Sequence, residues 1–159
     1  PEECSIETYQ EIMDILGIDR AVIVQGSAHG NDNRVTVDAV GKLGDRGRGV
    51  VLAPPDISDN ELDAFKLAGI CGLRLSTISK AGYGTEHLKT MVKRAQELDW
   101  MVLLHFGNVD EIVGQLQLLE NMPIYFVIDH QGRPLGKQAL TCMVCVLGDS
   151  QAHEDWGET

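Results

Sequence analysis

The chain has 159 residues, enough for one domain with a substantial core, and its 43% hydrophobic and 23% charged content is that of an ordinary globular protein. Thirteen basic against 24 acidic residues give a formal net charge of −11, which argues against a nucleic-acid partner because phosphate recognition needs clustered Lys and Arg. No apolar run reaches the roughly 18–20 residues of a membrane helix and no secretory signal is evident, so no membrane partner is expected and the cytoplasm is the default compartment.

Ser5 is positioned to cap a first helix in which Ile6, Tyr9, Ile12, Met13 and Leu16 keep helical spacing, with Gly17 as the stop. Residues 20–25, RAVIVQ, read as the first strand. They run into GSAHGNDN, a loop bearing Ser27 and His29, after which Asn33 caps a helix to about Leu43. The second strand is 49–53, GVVLA, closed by Pro54 and Pro55. Ser58 with Glu61 forms a capping box for a helix to Ala68. The third strand, 70–76, contains Arg74, a charge inside an apolar run that must find an anion or open onto a cavity, since an unpaired buried charge costs several kcal/mol. It can be met by an internal salt bridge or by a ligand.

A glycine-bearing loop with Lys80 leads to a helix from Thr85 to about Leu98. AGYGTE in that loop reads as a plain turn rather than an anion cradle. The fourth strand, 100–104, ends in His105, and Asn108 with Glu111 makes a second capping box for a helix to about Glu120. The fifth strand, 124–128, IYFVI, has no polar alternation and is expected to be buried on both faces. Asp129, His130 and Arg133 follow it directly. A last helix is expected over 136–147, and the acidic stretch 149–159 reads as a frayed tail outside the 1–148 domain.

Cys4, Cys71, Cys142 and Cys145 do not form a disulfide framework at this length. The C-x-x-C at Cys142 and Cys145 lies in an apolar helical run, which favours packed thiols over metal or redox use.

Five strands each followed by a helix, with no hairpin signal, define a parallel α/β architecture. Periodicity leaves open whether the sheet is doubly wound or part of a barrel. In either case ligands bind at the strand C-termini. That rim collects Ser27, His29, Asp56, Arg74, Lys80, His105, Asp129, His130 and Arg133, a cationic and imidazole-bearing set suited to an anionic substrate and to a metal. Each has a plainer reading as well. His29 in its polar loop is a solvated or turn residue as readily as a ligand contact, and His105 has a structural reading beside the functional one. His87 and His153 read as surface residues.

VIVQGSAHGNDN (22–33), GICGLRLS (69–76), LDWMVLLH (98–105) and VIDHQGRP (127–134) occur in one order and spacing that resembles the amidohydrolase-related TIM-barrel hydrolases, in particular the group similar to 2-pyrone-4,6-dicarboxylate lactonase. The resemblance covers nearly the whole chain and implies a partial (β/α)8 TIM barrel, its five βα units corresponding to strands two to six of eight. It implies that His130 is an active-site histidine, a metal ligand in the metal-dependent members, with Arg133 three residues on as a catalytic partner. Ser27 and Arg74 match positions that hold substrate carboxylates; Lys80 stands where an arginine is expected, and Phe106 near an expected tyrosine. His29 and His105 join these as substrate-contact candidates. The implied cofactor is a divalent metal such as zinc, or none if the chain is lactonase-like. The family's His-x-His would precede Pro1 and its acid after the eighth strand would follow Thr159, so an internal fragment, inactive alone, is expected.

The implied reaction is hydrolysis of a small carboxylated lactone or related carbonyl compound. Two rivals stand beside it, decarboxylation of a small aromatic acid on the same fold and a non-catalytic, flavodoxin-like binding module. An incomplete barrel also leaves the first and fifth strands as exposed edges, which invites self-association.

Overall fold

Each predicted strand forms, and all five run parallel. The structure is a computed structural model describing residues 5–79 and 82–132. The strands are β1 (Ala21–Val24), β2 (Gly47–Val51), β3 (Ile70–Ser76), β4 (Met101–His105) and β5 (Phe126–Ile128), hydrogen-bonded in the order β1-β2-β3-β4-β5. A doubly wound domain reverses its strand order at a switch point. Here each strand lies beside its sequence neighbour, as in a closing barrel, so the flavodoxin-like alternative does not describe this sheet.

Six helices are described: α1 (Ile6–Leu16), α2 (Arg34–Leu43), α3 (Asp59–Leu67), α4 (Leu88–Glu97), α5 (Val109–Val113) and α6 (Leu116–Glu120). Ser5 Oγ accepts from Thr8 N to cap α1, and Gly17 ends it in the left-handed conformation that a glycine adopts without penalty. The Ser58–Glu61 capping box of α3 is fully formed. Asn33 stands at the start of α2 but does not cap it. Its amide instead bonds the backbone of Leu52 through both ends, Nδ2 to the carbonyl at 2.8 Å and Oδ1 from N–H at 3.1 Å, tying the β1 loop to the end of β2.

Two predicted helices differ in form. Thr85 opens a short 3-10 turn, and α4 begins only at Leu88. The helix expected to run to Glu120 is broken into α5 and α6. Asn108 does accept from Glu111 N, but at Gly114 and Gln115 the backbone tightens, with Gln115 N–H bonding the Ile112 carbonyl at 2.9 Å.

The helices cover one face of the sheet. Val40, Leu62, Met91 and Ala95 from α2, α3 and α4 join one buried cluster with Val51, Leu73, Leu75, Val102 and Leu104. Alternation sends the remaining strand residues to the opposite, concave face: Val24 pairs with Val50, Val50 with Gly72, and Gly72 with Met101. Gly72 is needed there, because a Cβ would lie 2.8 Å from Met101 Cγ and 3.0 Å from the Met101 carbonyl. Arg74 and Ser76 share that face, two and four residues along β3.

β5 departs from the expectation of a strand buried on both faces. It is three residues long, and Tyr125 and Val127 remain 69% and 46% exposed. The reason is position. Among the described residues β5 pairs only with β4, and nothing covers the concave side of the sheet at that edge. β1, at the other edge, leaves Val22 and Val24 exposed in the same way. Among the described residues no helix is long and apolar enough to cross a membrane. Cys4, Lys80, Arg133, the expected helix over 136–147 with Cys142 and Cys145, and the tail over 149–159 lie outside the described residues.

Candidate active site

Arg74 is the centre of the strand-end cluster. It sits on β3 opposite Leu103 of β4 and is only 7% exposed, so its guanidinium cannot be satisfied by bulk water. Nη1 donates to the Gln25 carbonyl at 2.6 Å and reaches Ser27 Oγ at 3.4 Å. Nη2 donates to His105 Nδ1 at 2.9 Å and to Asp129 Oδ2 at 3.1 Å. One side chain thereby gathers the ends of β1, β4 and β5. Both of the fates open to Arg74 in the sequence are addressed: an internal carboxylate is present, and the Nε–H, buried, has no hydrogen-bond partner among the described residues.

His105, 6% exposed, ends β4 beside Ser76, whose Oγ lies 3.2 Å from Nδ1. A guanidinium can only donate, so Nδ1 is an acceptor and the proton of the neutral ring is on Nε2. Thr77 N–H bonds the His105 carbonyl at 3.1 Å, and Glu111 accepts from both Thr77 Oγ1 and Gly107 N–H. These contacts fix the ends of β3 and β4 to each other behind the imidazole.

His130 is carried by a 3-10 turn after β5 and adopts a left-handed backbone, φ 51°, uncommon for a residue with a Cβ. Asp129 supports it: Oδ1 accepts from His130 N–H at 3.0 Å. The His105 and His130 rings lie 5.0 Å apart, and Asp129 Oδ2 is 3.7 Å from His130 Nε2. His130 is more than half exposed at its side chain and so is open to solvent.

The structure therefore brings together Ser27, Arg74, His105, Asp129 and His130 from the rim predicted in the sequence. His29 lies in the same turn as Ser27 but is exposed, and no hydrogen bond ties it to Arg74 among the described residues. Asp56 is exposed and likewise apart from the cluster. Lys80 and Arg133, outside the described residues, are not located. Two participants carried no functional signal in the sequence. Gln25 supplies a carbonyl to Arg74 while its buried amide pins the loop through the Gly30 and Asp32 carbonyls, each at 2.9 Å. Ser76 backs His105. Both are polar residues ending an otherwise apolar strand, the one hint available without coordinates.

His105, Asp129 and His130 offer ligand atoms all within 4.8 Å of one another, a donor set of the right type for a divalent metal. As arranged, however, Arg74 engages two of the three. The lone pair of His105 Nδ1 and one Asp129 oxygen already accept from its Nη2, and a second cation there would sit beside the guanidinium. The donor chemistry fits a metal, but the present geometry does not, unless Arg74 withdraws. The same positive centre, with histidines on either side, suits an anion.

A barrel-type sheet with such a cluster at its strand C-termini is the layout of TIM-barrel hydrolases. The amidohydrolase family model matches residues 1–157, and the chain belongs to the amidohydrolase family. It is 36% identical over 136 residues to a 4-sulfomuconolactone hydrolase of Hydrogenophaga intermedia, covering 84% of this chain and 45% of that protein. It is 34% identical to a 2-pyrone-4,6-dicarboxylate hydrolase of Comamonas testosteroni (84% and 44% covered). It is also 30% identical to a D-galactarolactone isomerase of Agrobacterium fabrum (80% and 43% covered). The chain spans less than half the length of these relatives. Among solved structures, one from Agrobacterium tumefaciens superposes with a TM-score of 0.74 at 26% identity, covering 91% of this chain and 54% of the other. A probable 2-pyrone-4,6-dicarboxylic acid hydrolase from Acinetobacter baumannii with citric acid bound gives 0.72 at 27% identity, covering 82% and 49%. The five-stranded sheet is thus a curled half of a TIM barrel.

Proposed function

We propose that this chain forms part of an amidohydrolase-family enzyme that opens a small carboxylated lactone, with Arg74 receiving a substrate carboxylate and His130 polarising the lactone carbonyl. The observation that carries the reading is the buried Arg74 guanidinium at the strand ends, with a histidine on either side and its Nε–H unused by the described residues. A fixed cation in a water-poor site binds a carboxylate and offsets the charge that develops when a carbonyl is attacked. The relatives support the substrate class, since those named above act on lactones or a pyrone dicarboxylate, and one similar structure holds citric acid. Ser27 stands beside Arg74 as a further carboxylate contact. Arg133 and Lys80 would extend the cationic rim, and His29 and His105 would line it.

We read this chemistry as independent of a bound metal, because Arg74 holds two of the three clustered donors among the described residues. Opening of 2-pyrone-4,6-dicarboxylate and of a sulfonated muconolactone by a complete-barrel enzyme that carries this segment, followed by loss of ultraviolet absorbance with and without added zinc, tests the reading. Activity should fall at least about a hundredfold on His130→Ala and on Arg74→Ala, the scale of losing a transition-state contact. Turnover indifferent to both substitutions, or dependent on zinc, would refute it.

A further inference from the structure

We propose, on the reading that Arg74 receives a substrate carboxylate, that Asp129 is the resident stand-in for that carboxylate and gives up its place when ligand enters. Nε and Nη2 of an arginine lie on one edge of the guanidinium, and a carboxylate fits that edge with two parallel N–H···O bonds. In Arg74 this edge is half used. Nη2 bonds Asp129 Oδ2 at 3.1 Å and His105 Nδ1 at 2.9 Å, while the buried Nε–H has no partner among the described residues. Asp129 makes a one-pronged contact where an incoming carboxylate can make a two-pronged one.

The aspartate is also built to leave. Its Oδ1 is fixed by His130 N–H at 3.0 Å, whereas Oδ2 lies 3.7 Å from His130 Nε2. A small rotation about the fixed oxygen moves Oδ2 from the guanidinium to the imidazole. The Asp129 side chain is a quarter exposed and Arg74 is not, so the exchange takes place on the solvent side of the pair. Replacing one carboxylate by another never leaves the buried guanidinium without an anion, which avoids the main cost of breaking such a pair. Asp129 accordingly sets the affinity for carboxylates by competing with them.

The test is calorimetric titration of the 159-residue chain with citrate and with benzene-1,3-dicarboxylate as probes, comparing the unsubstituted chain, Asp129→Asn and Arg74→Gln. Asp129→Asn keeps an oxygen for the His130 N–H and removes both the competing charge and the acceptor that holds Nη2. It should bind both probes about tenfold more tightly, given the strength of one unit charge at contact distance near a protein surface. Arg74→Gln should bind neither. Equal or weaker binding by Asp129→Asn, with binding still lost in Arg74→Gln, would overturn the stand-in role while leaving Arg74 as the carboxylate site. Binding unaffected by Arg74→Gln, or no binding by either the unsubstituted chain or Asp129→Asn, would overturn the reading of Arg74 and this inference with it. Should Asp129→Asn not fold, carbon-13 spectra of the unsubstituted chain decide: the Asp129 carboxyl resonance should move on citrate addition, and a stationary resonance rejects the exchange.

Discussion

Arg74 and Asp129 stand 55 positions apart in the chain and 3.1 Å apart in space. Their strands are not neighbours, for β4 lies between β3 and β5. Two inter-strand spacings amount to about 10 Å, a gap that the long arginine spans from the concave face. The pair is thus a brace across three strands, and it places a charge that the fold must keep satisfied.

Coupling between the two is expected to be directional. Asp129→Ala leaves a buried guanidinium short of an anion and should lower stability by about 1–3 kcal/mol in urea unfolding. In an Arg74→Met background, where volume is kept and the charge is gone, the same substitution should cost less than about 1 kcal/mol, because the quarter-exposed carboxylate no longer has a buried partner to lose. Equal costs in both backgrounds would show that the two residues do not share an energetic bond.

Asp32 gives the clearest titration. Its side chain receives two hydrogen bonds from Arg34, at 2.7 and 2.6 Å, and with the Arg34 backbone N–H these hold its pKa at about 2, below the ordinary 3.8. A depressed carboxylate contributes stability that is present above its unfolded pKa and lost as pH falls through the folded one. The window is therefore about pH 4 down to about 2, and the contribution is small because solvent screens this surface pair. The Asp32 carboxyl carbon-13 shift should titrate near 2, and Arg34→Ala should return the midpoint towards 3.8. A midpoint unmoved by that substitution would assign the shift to some other cause.

Both edges of the described sheet present exposed apolar side chains, Val22 and Val24 on β1, Val127 on β5 and Tyr125 just before it. Parallel edges that pair with no further strand among the described residues, and carry apolar flanks, favour association between chains. Light scattering of this chain should therefore rise with concentration. The rise should diminish in Val24→Lys combined with Val127→Lys, since a charge on each edge opposes strand addition. A monodisperse monomer at high concentration would count against it.

Much of the fold was legible because its signals are local. Ser58 with Glu61, the Gly17 stop and five apolar runs spaced by helices depend only on residues near one another, and each reappears in the structure at nearly its expected place. Where tertiary context intervenes, local reading falls short. Asn33 looked like a cap, but Leu52 of the neighbouring strand end competed for its amide. The run at 124–128 looked doubly buried, but burial depends on what stands beside and beneath a strand, and β5 lies at an edge.

The candidate site divides in the same way. Period and composition determined that parallel strands would deliver Arg74, His105, Asp129 and His130 to one rim, because each residue ends or follows an apolar run. Periodicity left the sheet order open and the family motifs implied the partial barrel that the strand order bears out; only the tertiary structure decided the carbonyl of Gln25 as a partner for Arg74 and the sharing of Nη2 between His105 and Asp129. Those contacts join residues on strands that the chain visits far apart. Their geometry is set by strand register and side-chain reach, which no local window contains.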